Sequence, residues 1–184
     1  LALTFTNKAA KEMKERVARL VGPDLAAGLN MGTFHSVFAR ILRREVSLVG
    51  YKPNFTIYDE TDSRSLVSSI IKEMGLRDDK YKAANVRYHI SMAKNRLVTA
   101  EMYANDASAR GVDEQNDMPE LYSIYAMYEQ RCKASNVMDF DDLLLNTYLL
   151  FKNNPEVRAH YASRFRYMLV DEYQDTNYAQ QCIV

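Results

Sequence analysis

Tryptophan is absent from this 184-residue sequence, cysteine occurs twice, and glycine and proline supply only six and four residues. So little glycine and proline excludes collagen-like and low-complexity architectures. Two cysteines, Cys132 and Cys182, are too few for a disulfide scaffold, which points to a reducing, cytoplasmic setting. There is no excess of either charge, since 24 Lys and Arg face 24 Asp and Glu. That balance excludes a histone-like protein binding nucleic acid by bulk charge, but not a local basic groove. No apolar run approaches the roughly 20 residues of a membrane helix, and no signal-peptide pattern opens the chain. A phosphate-binding Gly-x-x-x-x-Gly-Lys-Ser/Thr loop is missing too, as are Gly-x-Ser-x-Gly and any Cys–His pairing.

What is present is 47% apolar, enough for a real core. Three short apolar runs read as buried strands: Leu1–Thr6, Asn30–Phe34 and Tyr167–Val170. Each leads through polar residues into helical periodicity, the rhythm of a parallel α/β sheet. The first helix should run from Asn7 to Leu20 and stop at Gly22-Pro23, the second from His35 to Gly50. From Tyr51 to Asn136 the strand signal disappears. Helices are expected there from a cap at Thr61 or Asp62 to Gly75, over Lys80–Leu97 and over Met118–Cys132, with a polar loop at Asn105–Asp117. Asp139 should cap a further helix that breaks at Asn153-Asn154-Pro155. The pattern is an α/β frame holding an all-helical insertion.

Charge follows this division. Residues 1–50 hold eight basic and four acidic side chains, residues 51–135 twelve and thirteen, and residues 136–184 four and seven. Neutrality is a sum of unlike parts. The chain also opens inside an apolar stretch at Leu1 and closes on Ile183-Val184, as expected of a piece of a longer protein.

Five strings could carry chemistry. In Tyr167–Asp175 an apolar strand ends in Asp171 and Glu172, at the sheet edge where α/β proteins bind ligands. The first acid can hold Mg²⁺ and the second can polarise the water that attacks a γ-phosphate. In Thr4–Met13 a strand ends in Thr6 and Asn7 before a helix N-terminus suited to phosphate, and Phe5 could pack on a base. Gly32–Ser36 is another strand–helix junction, where Thr33 or Ser36 can cap and His35 can donate to phosphate. Asp139–Leu144 reads as an N-cap with acids in the first turn, which outweighs a metal cluster. Lys80–Arg96 carries Lys80, Lys82, Arg87, Lys94 and Arg96 with interleaved Tyr81 and Tyr88 and no acid, compatible either with a nucleic-acid backbone or with a solvated face.

Together these strings resemble the superfamily-1 DNA helicases of the UvrD/Rep/PcrA group. Thr4–Met13 is similar to that family's motif Ia, Gly32–Ser36 to motif Ib, and Val170–Asn177 to motif II, the Walker B box; Asp139–Leu144 matches a further family-typical segment. The resemblance implies an incomplete RecA-like parallel sheet interrupted by an all-helical subdomain. Residues 1–46 and 136–184 would form the RecA-like part and residues 47–135 the insertion. It implies ATP and Mg²⁺ as cofactors, with Asp171 on the metal, Glu172 activating water, and Gln174 also at the nucleotide. It implies single-stranded DNA and single/double-strand junctions as partners, through Phe5, Thr6, Asn7, Lys8, Thr33, His35 and Ser36, with Lys94 and Arg96 added from the helical part. The parent would be an ATP-dependent helicase that translocates and unwinds. This chain alone, without the phosphate loop and the second RecA-like domain, is expected to turn over no ATP and could self-associate through open sheet edges. Two alternatives remain: a piece of a RecB/AddA-like helicase–nuclease, or a non-enzymatic DNA-binding or docking module.

Overall fold

The computed structural model describes residues 1–77 and 79–184. Its order is β1 (Ala2–Thr4), α1 (Asn7–Val21), α2 (Pro23–Ala27), β2 (Met31–Thr33), α3 (Phe34–Arg44), β3 (Thr56–Tyr58), α4 (Glu60–Glu73), α5 (Ala83–Asn95) and α6 (Ala100–Asn105). It continues with α7 (Ala107–Gln115), α8 (Leu121–Ala134), β4 (Val137–Asp139), α9 (Phe140–Asn153), α10 (Pro155–Arg164), β5 (Leu169–Val170) and α11 (Tyr178–Ile183). The fold is mixed α/β, mostly helical, with two small parallel sheets, β2-β1-β5 and β3-β4.

Short polar side chains set the helix starts. Thr6 Oγ1 accepts from the Ala9 N–H at the head of α1, and Thr33 Oγ1 from Ser36 at the head of α3. Asp59 with Asp62, Asp139 with Asp142, and Asn177 with Gln180 form reciprocal capping boxes on α4, α9 and α11. Gly22 ends α1 at φ 89°, a conformation that side chains with a Cβ rarely adopt, and Pro23 then opens α2 without needing an N–H.

Several expectations need correction. The run Tyr167–Val170 is not a buried strand: only Leu169–Val170 is strand, at the edge of its sheet, with Tyr167 85% and Leu169 71% exposed. Val137–Asp139 is a strand where only the cap at Asp139 was expected. Thr56–Tyr58 is a strand, inside the stretch where no strand signal was read; three residues are too few to display alternation, and pairing with β4 supplies what the pattern lacks. Asn105–Asp117 is not a loop, because Asp106 caps α7 and Asp113 is buried as the acceptor of the Tyr103 hydroxyl. The cap of α4 is Asp59, with Asp62 as its reciprocal partner.

Apolar side chains gather in two clusters. The first joins Leu3 of β1 and Phe34, Phe38 and Leu42 of α3 to Met138 of β4, Leu143 and Leu144 of α9 and Ala179 of α11. The second is made by helices, with Val67 and Ile70 of α4, Val86 and Ile90 of α5, and Ile124, Tyr125 and Tyr128 of α8. No helix among the described residues is long and apolar enough to cross a membrane. Ile70 is 0% exposed in the second cluster, so Ile70→Ala should cost about 2–5 kcal/mol in urea unfolding. Leu20→Ala, on a side chain 84% exposed, should change stability by about 0.5 kcal/mol or less. Equal losses would contradict this placement of the core.

Candidate functional site

The three parallel strands end level with one another. Thr4 pairs in register with Thr33, and Val170 with Leu3, so Asp171 emerges beside Thr4 at the carboxyl edge. There the Asp171 N–H donates to Leu3 O at 2.9 Å and the Thr4 hydroxyl donates to Asp171 Oδ2 at 3.3 Å. The next residue, Glu172, adopts a left-handed backbone at φ 50°, uncommon for a residue with a side chain. That turn breaks the strand and directs the chain into the 3-10 turn Tyr173–Asp175. Both acids are exposed, and the Gln174 side-chain amide donates to Glu172 Oε2. Among the described residues no group of three or more His, Cys, Asp or Glu is placed to cage a metal. Mg²⁺ does not need such a cage, since one or two carboxylates plus water and phosphate oxygens suffice, and Asp171 with Glu172 fits that requirement.

The ends of β1 and β2 and the helix starts that follow them meet in a groove of about 330 Å³ lined by Phe5, Asn7, Thr33, His35, Ser36, Ile57 and Phe140, among others. The Phe5 ring lies 5.5 Å from that of Phe34, and His35 meets Phe140 edge-on at 5.5 Å. Phe140 remains 47% exposed on the rim. Gly32 permits the tight junction, because a Cβ there would fall 2.6 Å from Ser36 Oγ, which donates to Thr33 O. Thr6, Asn7 and Lys8 are exposed at the head of α1.

The basic helix reads differently in space. Lys80, Lys82 and Arg96 are exposed, whereas Arg87 and Lys94 face inward. Lys94 is 1% exposed, with Nζ 2.8 Å from Asp139 Oδ2 and 2.7 Å from Asp142 Oδ1. It therefore cannot serve as the DNA contact expected of it; a buried ammonium held by two carboxylates does not reach a phosphate backbone. Arg87 Nη2 is 2.8 Å from Asp141 Oδ2 and 3.6 Å from Asp139 Oδ2. The acids of Asp139–Asp142 thus cap a helix and bind cations of the protein itself. Burial alone would push the Asp139 carboxyl up, but Lys94 and Arg87 outweigh it and hold the group below the usual range. Asp142 is pushed up by burial and by the Asp139 charge. Burial would lower Lys94 as well, yet its two carboxylates keep it raised and charged.

Sequence reasoning missed Ile57 and Phe140 in the groove, and Asn95. The Asn95 amide donates to Asp141 Oδ1 at 2.9 Å and accepts from Asn177 Nδ2 at 2.5 Å. A signal was available only for the burial of Arg87 and Lys94, which are seven apart and share the α5 face of Val86, Ile90 and Ala93.

Burial lowers the His35 pKa below 6.5, partly offset by Asp141. The unfolded chain therefore binds the proton more readily than the folded one, and the contribution of neutral His35 is present above 6.5 and lost as pH falls below it. Between about pH 7 and about pH 5 the urea midpoint should fall further in the wild type than in His35→Gln. Equal falls would contradict a half-buried imidazole that folding keeps neutral.

The UvrD/REP helicase N-terminal domain matches residues 1–184. ATP-dependent DNA helicase UvrD1 of Mycobacterium leprae (strain TN) is 44% identical over 185 residues, covering 100% of this chain and 23% of that protein. ATP-dependent DNA helicase PcrA of Staphylococcus aureus (strain Mu50 / ATCC 700699) is 42% identical over 184 residues, 100% of this chain and 24% of that protein. PcrA of Leuconostoc citreum is 41% identical over 185 residues, again 100% of this chain and 24% of the relative. The chain spans about a quarter of the length of these curated relatives. With its whole length matched, and with two acids and an aromatic groove raised on neighbouring strand ends, this chain belongs to the UvrD/REP helicase N-terminal domain family.

Proposed function

We propose that this chain is part of an ATP-dependent DNA helicase that couples Mg-ATP hydrolysis to movement along single-stranded DNA and to duplex unwinding. The observation that carries this reading is the shared carboxyl edge, where acids fit for phosphate chemistry leave β5 beside strands whose ends line the aromatic groove. Residues 1–46 and 136–184 are read as the RecA-like part and residues 47–135 as an inserted helical subdomain. The second apolar cluster, drawn mostly from helices between Val67 and Cys132, supports a helical unit there, while Thr56–Tyr58 pairs with β4 and Phe55 and Leu97 pack in the first cluster.

In this reading Asp171 offers a carboxylate to Mg²⁺, with the Thr4 hydroxyl fixing one of its oxygens. When bound, the ion neutralises charge on the phosphate oxygens. Glu172 orients the attacking water and takes its proton, and the Gln174 amide holds the Glu172 carboxylate in place. Phe5 and His35 present ring surface to bases, while Thr6, Asn7, Lys8, Thr33 and Ser36 supply donors for the backbone. Exposed Arg96 is kept as a DNA contact and Lys94 is not. Single/double-strand junctions are the expected substrate and the cytoplasm the expected compartment. The 184 residues alone, lacking a phosphate loop, turn over no ATP, and the outer edge of β5, with Tyr167 and Leu169 exposed, is where isolated copies would associate.

In the full-length protein Glu172→Gln should lower kcat for DNA-stimulated hydrolysis about 10²- to 10⁴-fold with single-strand affinity retained. Phe5→Ala should instead weaken single-strand binding by about 1–3 kcal/mol, read by fluorescence titration. Hydrolysis unaffected by Glu172→Gln would overturn the catalytic assignment, and binding unaffected by Phe5→Ala would remove the groove from the DNA path.

A further inference from the structure

Three segments far apart in the chain meet at one amide. Asn95 ends α5, Asp141 lies in the first turn of α9, and Asn177 caps α11 directly after the acid-bearing turn. Asn95 Nδ2 donates to Asp141 Oδ1 at 2.9 Å and to Ser91 O at 2.8 Å, and its Oδ1 accepts from Asn177 Nδ2 at 2.5 Å. Both polar ends of the side chain are used. Neither neighbour is free to drift: Asp141 is held by Arg87 Nη2 at 2.8 Å, and Asn177 Oδ1 accepts from the Gln180 N–H at 2.9 Å. Arg87 Nε and Nη1 are buried without a hydrogen-bond partner, so Asp141 accepts the guanidinium's hydrogen bond while Asp139 at 3.6 Å and Glu60 at 3.7 Å add charge. Between Asn177 and the acids lies one short turn, closed by the Thr176 hydroxyl on Tyr173 O at 2.7 Å and by the Thr176 N–H on the same oxygen at 3.1 Å. On the other side, Asp141 follows Phe140, whose ring meets His35 in the groove.

We propose that Asn95 is a positioning residue for ATP hydrolysis: it ties the end of the Asp171–Asp175 turn to α5 and α9, so that the placement of Glu172 depends on the helical segment and on the wall of the groove. The proposal rests on the helicase reading above. Asn95 touches neither acid; it acts through Asn177 and the turn. Its loss frees the anchor of α11 without removing a group from the reaction, so the effect falls on kcat, because a catalytic carboxylate displaced by a fraction of an ångström still leaves nucleotide and DNA binding intact.

The test uses the full-length protein, with DNA-stimulated hydrolysis, the KM for ATP, single-strand affinity and the thermal midpoint measured side by side. Asn95→Ala should lower the DNA-stimulated kcat about tenfold while KM and single-strand Kd stay within about twofold. Asn177→Ser keeps a capable cap on α11 but removes the amide that reaches Asn95; it should lower kcat as Asn95→Ala does, and the two changes together should be no slower than either alone. Asn177→Ser also decides the matter if Asn95→Ala fails to fold. An unchanged kcat in Asn95→Ala, a parallel loss of kcat and DNA affinity, or losses in Asn95→Ala and Asn177→Ser that simply add in the double variant would each overturn the positioning role while leaving the helicase reading standing. A wild-type protein without any DNA-stimulated hydrolysis would overturn that reading and the proposal with it.

Discussion

The ammonium of Lys94, 1% exposed between two carboxylates, constrains the rest of the structure more than any other group. Removing such an ion from water costs several kcal/mol, recovered only where the geometry around it is complete. Completeness here recruits three elements at once. Asp139 is the last residue of β4 and the cap of α9, accepts from the Tyr128 hydroxyl of α8 at 2.8 Å, and faces both Lys94 and Arg87 of α5. Asp142 closes the capping box and the ion pair together. The helical cluster and the cluster around the sheet are thus joined by charge as well as by apolar contact. Loss of Asp139 would leave Lys94 to Asp142 alone, and loss of Lys94 would leave two buried carboxylates with only Arg87 nearby, so the cluster is balanced only when complete.

Consequences run outward from that joint. Once α9 is seated, α3 packs against it, Phe140 reaches the His35 ring, and the ends of β1 and β2 with the helix starts after them close into a groove. Once α5 is seated, Asn95 lies within reach of Asn177, and the turn carrying Glu172 gains an anchor on the helical side. The strained backbone at Glu172, the Thr4 hydroxyl on Asp171 and the Gln174 amide on Glu172 then hold two exposed acids in a defined arrangement at the strand ends. The aromatic groove and the acids are separate surfaces of one frame.

Much of this was legible in the residues, for reasons that can be named. The strand ends before Asp171 and at Thr33 showed because a short apolar run followed by a small polar cap is a local signal, and Thr6, Thr33 and Asp139 cap where their chemistry says they should. What was not legible depends on partners distant in sequence. Thr56–Tyr58 is a strand only because β4, some 80 positions on, pairs with it. Lys94 looked like a solvent-facing base because its partners lie 45 and more positions away; the seven-residue spacing from Arg87 across an apolar face was the one clue to its burial. Asn95 carried no signal at all, since an amide reveals its role only when both of its partners are in place.

The most direct measurement is a double-mutant cycle on the buried pair, using Lys94→Met and Asp139→Asn, the latter retaining a capable helix cap. Urea unfolding should give a loss of about 3–5 kcal/mol for Lys94→Met, a smaller one for Asp139→Asn because Asp142 still faces the ammonium, and a coupling of about 2 kcal/mol or more. Single losses below about 1 kcal/mol that simply add would contradict the central role of this ion cluster.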